Sequence, residues 1–152
     1  MSAGSIGFDT TEIRAFARKV EGADKIVMDE LTTAFDQSGG VILSAAKGNI
    51  HNKSGELGGS GHKTTTVTSS TIRTLIEFTA THAKWVEWGR GPVVAIHKKA
   101  LAFTVGGETI FRKSVGPAKA QRFLGKAFDA NKAAVIRAVD VAAARIVSRV
   151  LA

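Results

Sequence analysis

The chain has 152 residues, 44% of them apolar, which suits one domain with a real core and excludes a wholly disordered chain. Cysteine is absent, which excludes a disulfide framework, thiol catalysis and cysteine-ligated zinc. The net charge of +8 is uneven, with seven acids and four bases in residues 1–40 (net −3) but six acids and seventeen bases in residues 41–152 (net +11).

Residues 1–8 are rich in glycine and serine and read as a flexible N-terminus. They show neither a basic n-region nor a long apolar h-region, so no secretory signal is expected. Asp9 and Glu12 form a capping box, and Ile13, Phe16, Ala17 and Val20 follow at helical spacing, which predicts a short helix over 10–20. Gly22 bends or breaks it. A second helix is predicted over 23–50, with Val27, Leu31, Ala34, Val41 and Ala45 on one stripe. Gly39 and Gly40 cost it about 2 kcal/mol of helix propensity, so a kink or a close approach is expected there. Residues 51–61 hold four glycines and read as a mobile loop that orders on docking.

Thr64 to Thr68 reads as a strand, Ser69 to Thr71 as a turn, and Ile72 to Phe78 as a strand with Ile72, Thr74, Ile76 and Phe78 on its buried face. His82 to Trp88 is a short amphipathic helical turn ended by Gly89. A loop over 90–99 contains Pro92. Leu101, Phe103 and Val105 alternate, Gly106-Gly107 is a two-residue hairpin turn, and Thr109 to Arg112 returns as the partner strand. Pro117 opens another loop. From Lys119 onward the chain reads as helix, with Phe128, Val135, Val139, Ala142, Ile146 and Val150 on its apolar stripe. Asn131 caps or breaks that helix. The order predicts an α+β fold: a small antiparallel β-sheet packed with N-terminal helices and a long C-terminal helix, as a single domain over 9–152.

Chemistry is sparse. Gly61, Lys63 and Thr64 glance at a phosphate-binding loop, but His62 separates glycine from lysine and the following residues are β-prone. The four histidines have no metal-ligand spacing. Glu87 and His82 are five apart and diverge on a helix, so Glu87 reads as a salt-bridge residue. No nucleophile motif is present. The expectation is a protein without catalytic residues, cofactor or metal. No apolar run reaches about 18 residues, so no membrane span is expected. Trp85 and Trp88 share a helical face and are either core residues or interface anchors. The basic excess is either a solvated surface or a face for a polyanion or an acidic protein.

The segment His82-Ala83-Lys84-Trp85-Val86-Glu87-Trp88-Gly89-Arg90-Gly91-Pro92 resembles a signature of the small neck or tail-completion proteins of long-tailed bacteriophages. That signature is an aromatic-Ala pair, an apolar residue, Glu, an aromatic residue and Gly. Upstream, Ser54-Gly55-Glu56-Leu57-Gly58-Gly59-Ser60 resembles the family's Thr/Ser-Gly-x-Leu-x-x-Ser element after a long helix. Downstream, Leu101-Ala102-Phe103 and then Val115 to Leu124 resemble its hairpin and the Pro- and Phe-containing loop that leads into a final helix. The likeness covers about residues 20–150 in the same order. His82 stands where the family usually has tyrosine, and Arg122 where a proline often precedes the Phe.

The resemblance implies a structural virion protein of the head–tail neck, assembled in the host cytoplasm. It implies a homo-oligomeric ring, sixfold by expectation, whose partners are head-closure or connector proteins and tail-tube or terminator proteins, with nonspecific proximity to packaged DNA. The alternatives are a tail terminator capping the tail tube, or a sequence-nonspecific nucleic-acid-binding protein. The interface candidates are Trp85, Glu87, Trp88, Phe123 and Leu124. The docking-loop candidates are Ser54, Gly55, Leu57, Gly58, Gly59 and Ser60.

Overall fold

The computed structural model describes Arg18, residues 21–51 and residues 55–152. Apart from Arg18, the N-terminus and the helix expected over 10–20 lie outside the described residues. The fold is α+β. Its elements are α1 (Ala23–Gly48), α2 (Glu56–Gly59), β1 (Gly61–Val67), β2 (Ile72–Phe78), α3 (Ala83–Trp88), β3 (Val93–Val94), β4 (Leu101–Val105), β5 (Glu108–Arg112), β6 (Ser114–Val115) and α4 (Phe123–Leu151). The strands form three separate two-stranded ladders, β1–β2, β3–β6 and β4–β5, rather than one sheet.

Contacts divide the chain into two compact units. One comprises the chain up to Gly40, Thr64–Leu75 and Lys132–Ala152. Its interior is built on small residues, with Ala34, Ser38 and Ala142 buried. Glu30 is tied to Arg149 at 2.7 Å and to Arg145 at 3.9 Å, which links α1 to α4. Thr65 donates its hydroxyl to Asp36 at 2.9 Å and lies 3.0 Å from the Thr74 hydroxyl, which ties the β1–β2 pair to α1.

The other unit comprises Val41–Lys63 and Ile76–Asn131. Ile42, Ala46, Leu57, Ala83, Phe123 and Ala127 are its buried apolar residues. The Phe78 and Phe123 rings meet edge to face, with centroids 4.8 Å apart. Gly61 is a site of close approach, because a Cβ there would collide with the Phe78 ring.

Several expectations need correction. The helix α1 runs unbroken through Gly39 and Gly40, and Gly39 is buried, which agrees with the close approach expected there. The propensity cost is offset by burial at Ala34, Ser38, Ile42 and Ala46, a strict four-residue step along the helix. The expected stripe shared Ala34 with this row but also named Val41, which is 53% exposed. The buried row is mostly small residues, with Ile42 its one branched member, and Val41 next to it faces outward. Asn131 neither caps nor breaks α4, since its side-chain amide bonds back to the Ala127 carbonyl at 2.8 Å and the helix continues. Phe128, placed on the α4 stripe, is 52% exposed. The segment read as a loop over 51–61 contains the helical turn α2 and the start of β1. By contrast, β2 alternates as its sequence requires, and Gly106 and Gly107 adopt φ of 61° and 89°, which makes the tight turn of the β4–β5 hairpin.

Candidate subunit contact

Helix α3 has six residues, too few to persist by propensity alone. What holds it is the start of α4. Gln121 and Arg122 donate their backbone N–H groups to the Val86 and Glu87 carbonyls at 2.8 and 3.1 Å. Arg122 adopts a positive φ of 51° and turns the chain into the helix. Its carbonyl accepts the first helical bond, from Lys126. Arg122 therefore stands at the N-cap position, where a side chain with an acceptor oxygen is normally found, and it has none to offer.

Glu87 supplies what Arg122 lacks. Its carboxylate accepts the N–H of Leu124 at 2.9 Å through Oε2 and that of Gly125 at 3.0 Å through Oε1. Two orphan donors of α4 are thus satisfied by one residue 37 and 38 positions earlier in the chain. The negative charge also faces the positive end of the helix dipole. Glu87 is buried. Its expected role as a salt-bridge residue is corrected by this geometry: its partners are backbone amides of a helix terminus.

The rest of the α3 segment is fixed in the same manner. Arg90 and Ala118 exchange two backbone hydrogen bonds of 2.9 Å each. Gly89 has φ 79° and ψ 179°, a conformation essentially reserved for glycine. A Cβ there would meet the Ala118 carbonyl oxygen at 2.8 Å and the Ala120 nitrogen at 2.9 Å. Gly89→Ala is therefore expected to destabilise the protein by about 2 kcal/mol, from backbone strain and the displaced 118–120 segment. Chemical denaturation checks it; a midpoint equal to wild type would show that the turn is not needed.

No family model, no curated protein and no solved structure matches this chain.

The five interface candidates separate into two groups. Phe123 is 2% exposed and Glu87 is buried, so both are internal supports. Leu124 is half-buried and donates its N–H to Glu87. Trp85 and Trp88, in contrast, are 46% and 72% exposed, so neither belongs to a core of this chain. Lys84 lies 5.9 Å from the Trp85 ring centroid, within cation–π range. Among the docking candidates Ser54 lies outside the described residues. Leu57 is fully buried and so cannot offer its side chain to a partner. Gly58 is half-buried, Gly55 and Gly59 are exposed, and the Ser60 hydroxyl donates to the Leu57 carbonyl at 2.8 Å. Gly55 has a φ of 72°, just before α2.

Sequence reasoning missed the helix-capping role of Glu87. Its signal was present: the N-cap Arg122 and the first residues of α4, Phe123-Leu124-Gly125, include no Ser, Thr, Asp or Asn to cap it, so an acceptor had to come from elsewhere.

Proposed function

We propose that the protein is a structural subunit of the bacteriophage head–tail neck, forming a homo-oligomeric ring that completes the tail or joins it to the head connector. The observation that carries this reading is the pair Trp85 and Trp88, largely exposed on a helix whose backbone is anchored to α4. Exposed tryptophans on a rigid support are what an interface needs, because little side-chain entropy is lost on docking and each ring buries a large area. The composition of the interior supports the same reading. Five of the eight buried apolar residues are alanines, while side chains as large as Phe111 (67% exposed) and Ile96 (84%) face outward among the described residues. A neighbouring copy gives such residues a place to be buried. In a closed ring the contact is heterologous, one patch meeting a different patch on the next subunit. The sequence resemblance over about residues 20–150 supports this setting.

The test is assembly. Sedimentation of the purified protein, alone and with the connector and tail-tube proteins of the same virus, is expected to show a closed oligomer or its formation on the partner. Trp85→Ala/Trp88→Ala is expected to keep the unfolding free energy within about 0.5 kcal/mol of wild type, as exposed residues do. The same variant is expected to weaken assembly by at least about 2 kcal/mol, roughly 30-fold. A monomer that joins neither partner, or a double variant that assembles normally, would sink the proposal.

A further inference from the structure

Residues 93–115 form one ribbon with a defect in it. Val93 and Val94 pair with Val115 and Ser114, and Ala95 donates its N–H to the Lys113 carbonyl at 3.1 Å. The next rung pairs Leu101 with Arg112. Residues 96–100 therefore bulge out of one strand between two successive positions of the other. The excursion borders a hollow of about 400 Å³, lined by Ile96, His97, Lys98, Ala100 and Leu101 among others. It carries Lys98 and Lys99, and the rungs opposite carry Arg112 and Lys113.

All four side chains are exposed, and none of them makes an ion pair among the described residues. Residues 90–121 as a whole hold six bases against the single acid Glu108, so a fifth of the chain carries net +5 of its +8. Outside the ribbon, bases do pair with acids, Lys25 with Asp29, Arg122 with Asp129, and Arg145 and Arg149 with Glu30. Like charges gathered on one ribbon repel each other, and a bound polyanion relieves that repulsion.

We propose that this bulged ribbon grips the phosphate backbone of duplex DNA without reading its sequence. Three exposed lysines and an arginine on one ribbon, with Lys98 at the edge of the hollow, suit the regularly spaced charges of a duplex backbone. On the hairpin itself the aromatic rings do not form one track for stacking the bases of a single strand. Phe103 pairs with Ile110 and Phe111 with Ala102, so alternation puts the two rings on opposite faces of the hairpin. The inference does not depend on ring formation.

The experiment is fluorescence anisotropy with a labelled duplex of about 20 base pairs, titrated at several salt concentrations between about 50 and 200 mM. Four phosphate contacts predict a log–log salt slope of about −3.6. Lys98→Gln/Lys99→Gln is expected to bring it to about −1.8 and to weaken low-salt binding at least about tenfold. Lys126→Gln/Lys132→Gln removes the same net charge from α4 and is expected to leave the slope near the wild-type value. A shuffled duplex is expected to bind equally well. Four outcomes each overturn the proposal: equal losses in the two double variants, tighter binding of the single strand, a preferred duplex sequence, or equal competition by poly-glutamate at matched charge, which would point to an acidic protein. Sedimentation of the Lys98→Gln/Lys99→Gln protein, expected to match wild type, keeps a failure of assembly distinct from a failure of DNA binding.

Discussion

Glu87→Ala is expected to destabilise the protein by about 3 kcal/mol, a large effect for a substitution that removes no apolar core. Two charge-assisted hydrogen bonds are lost at once, and the Leu124 and Gly125 amides are left without acceptors at a part-buried helix end. Capping by an ordinary N-cap side chain is worth about 1 kcal/mol. The excess here comes from the carboxylate's charge against the helix dipole and from its burial. Glu87→Gln keeps one acceptor oxygen and is expected to lose about half as much. Urea denaturation measures both, and hydrogen exchange at the amides of residues 121–125 is expected to quicken in Glu87→Ala before the rest of the chain. A Glu87→Ala protein as stable as wild type would show that the helix end is satisfied by other means. An assembly defect in this variant does not identify Glu87 as a contact residue, since the platform under Trp85 and Trp88 is weakened with it. The tryptophan substitutions make that distinction.

How far the fold was legible depended on whether an element's neighbours were local. The strand β2 shows a period of two because half its side chains face inward, and the Gly106-Gly107 turn is dictated by the backbone conformation a tight hairpin needs. The helices α1, α3 and α4 announced themselves by periodicity. The buried side of α1 did not. Periodicity picked out Ala34 but not Ser38, Ile42 and Ala46, and the packed structure selects those three. The α2 turn was masked by its glycines. Leu57 is the one large apolar side chain in that stretch, and its complete burial holds Glu56–Gly59 helical against their poor propensity. The five-residue excursion of the ribbon, 96–100, was equally hidden, because it is defined by the strand it departs from.

The site shows the same division. The aromatic-Glu-aromatic-Gly segment was recognisable as a unit, and Gly89 and Glu87 turn out to have separate steric and capping reasons to be there. Their partners, Ala118, Leu124 and Gly125, are some thirty to forty residues away, and no local pattern connects them. Of the grouped residues Trp85, Glu87, Trp88, Phe123 and Leu124, the structure joins Glu87 and Leu124 by a hydrogen bond. The grouping did not separate the residues that support the platform from those exposed on it. Burial makes that separation, and it assigns opposite experimental signatures to neighbours in sequence: loss of stability for Glu87, and for Trp88 stability retained.

Phe123→Ala is expected to cost the most, about 4 kcal/mol. Phe123 is the first residue of α4 and 2% exposed. Its ring stands edge-on to Phe78 on β2, an arrangement worth about 1 kcal/mol beyond the area buried. Its backbone carbonyl accepts the Asn49 side-chain amide at 3.0 Å, which ties the end of α1 to the same point. Truncation leaves a cavity at the place where β2, the end of α1 and the start of α4 meet, and rigid backbone contacts on each side limit how far it can collapse. Phe123→Leu keeps most of the volume and is expected to lose about 1.5 kcal/mol. The control is Phe128→Ala on the same helix. Helical periodicity assigned Phe128 to the core, but it is 52% exposed, so its truncation is expected to change stability by no more than about 0.5 kcal/mol. Thermal and chemical denaturation of the three variants decide between the two phenylalanines. Equal losses at 123 and 128 would show that the core of this unit is not organised around the Phe78–Phe123 pair.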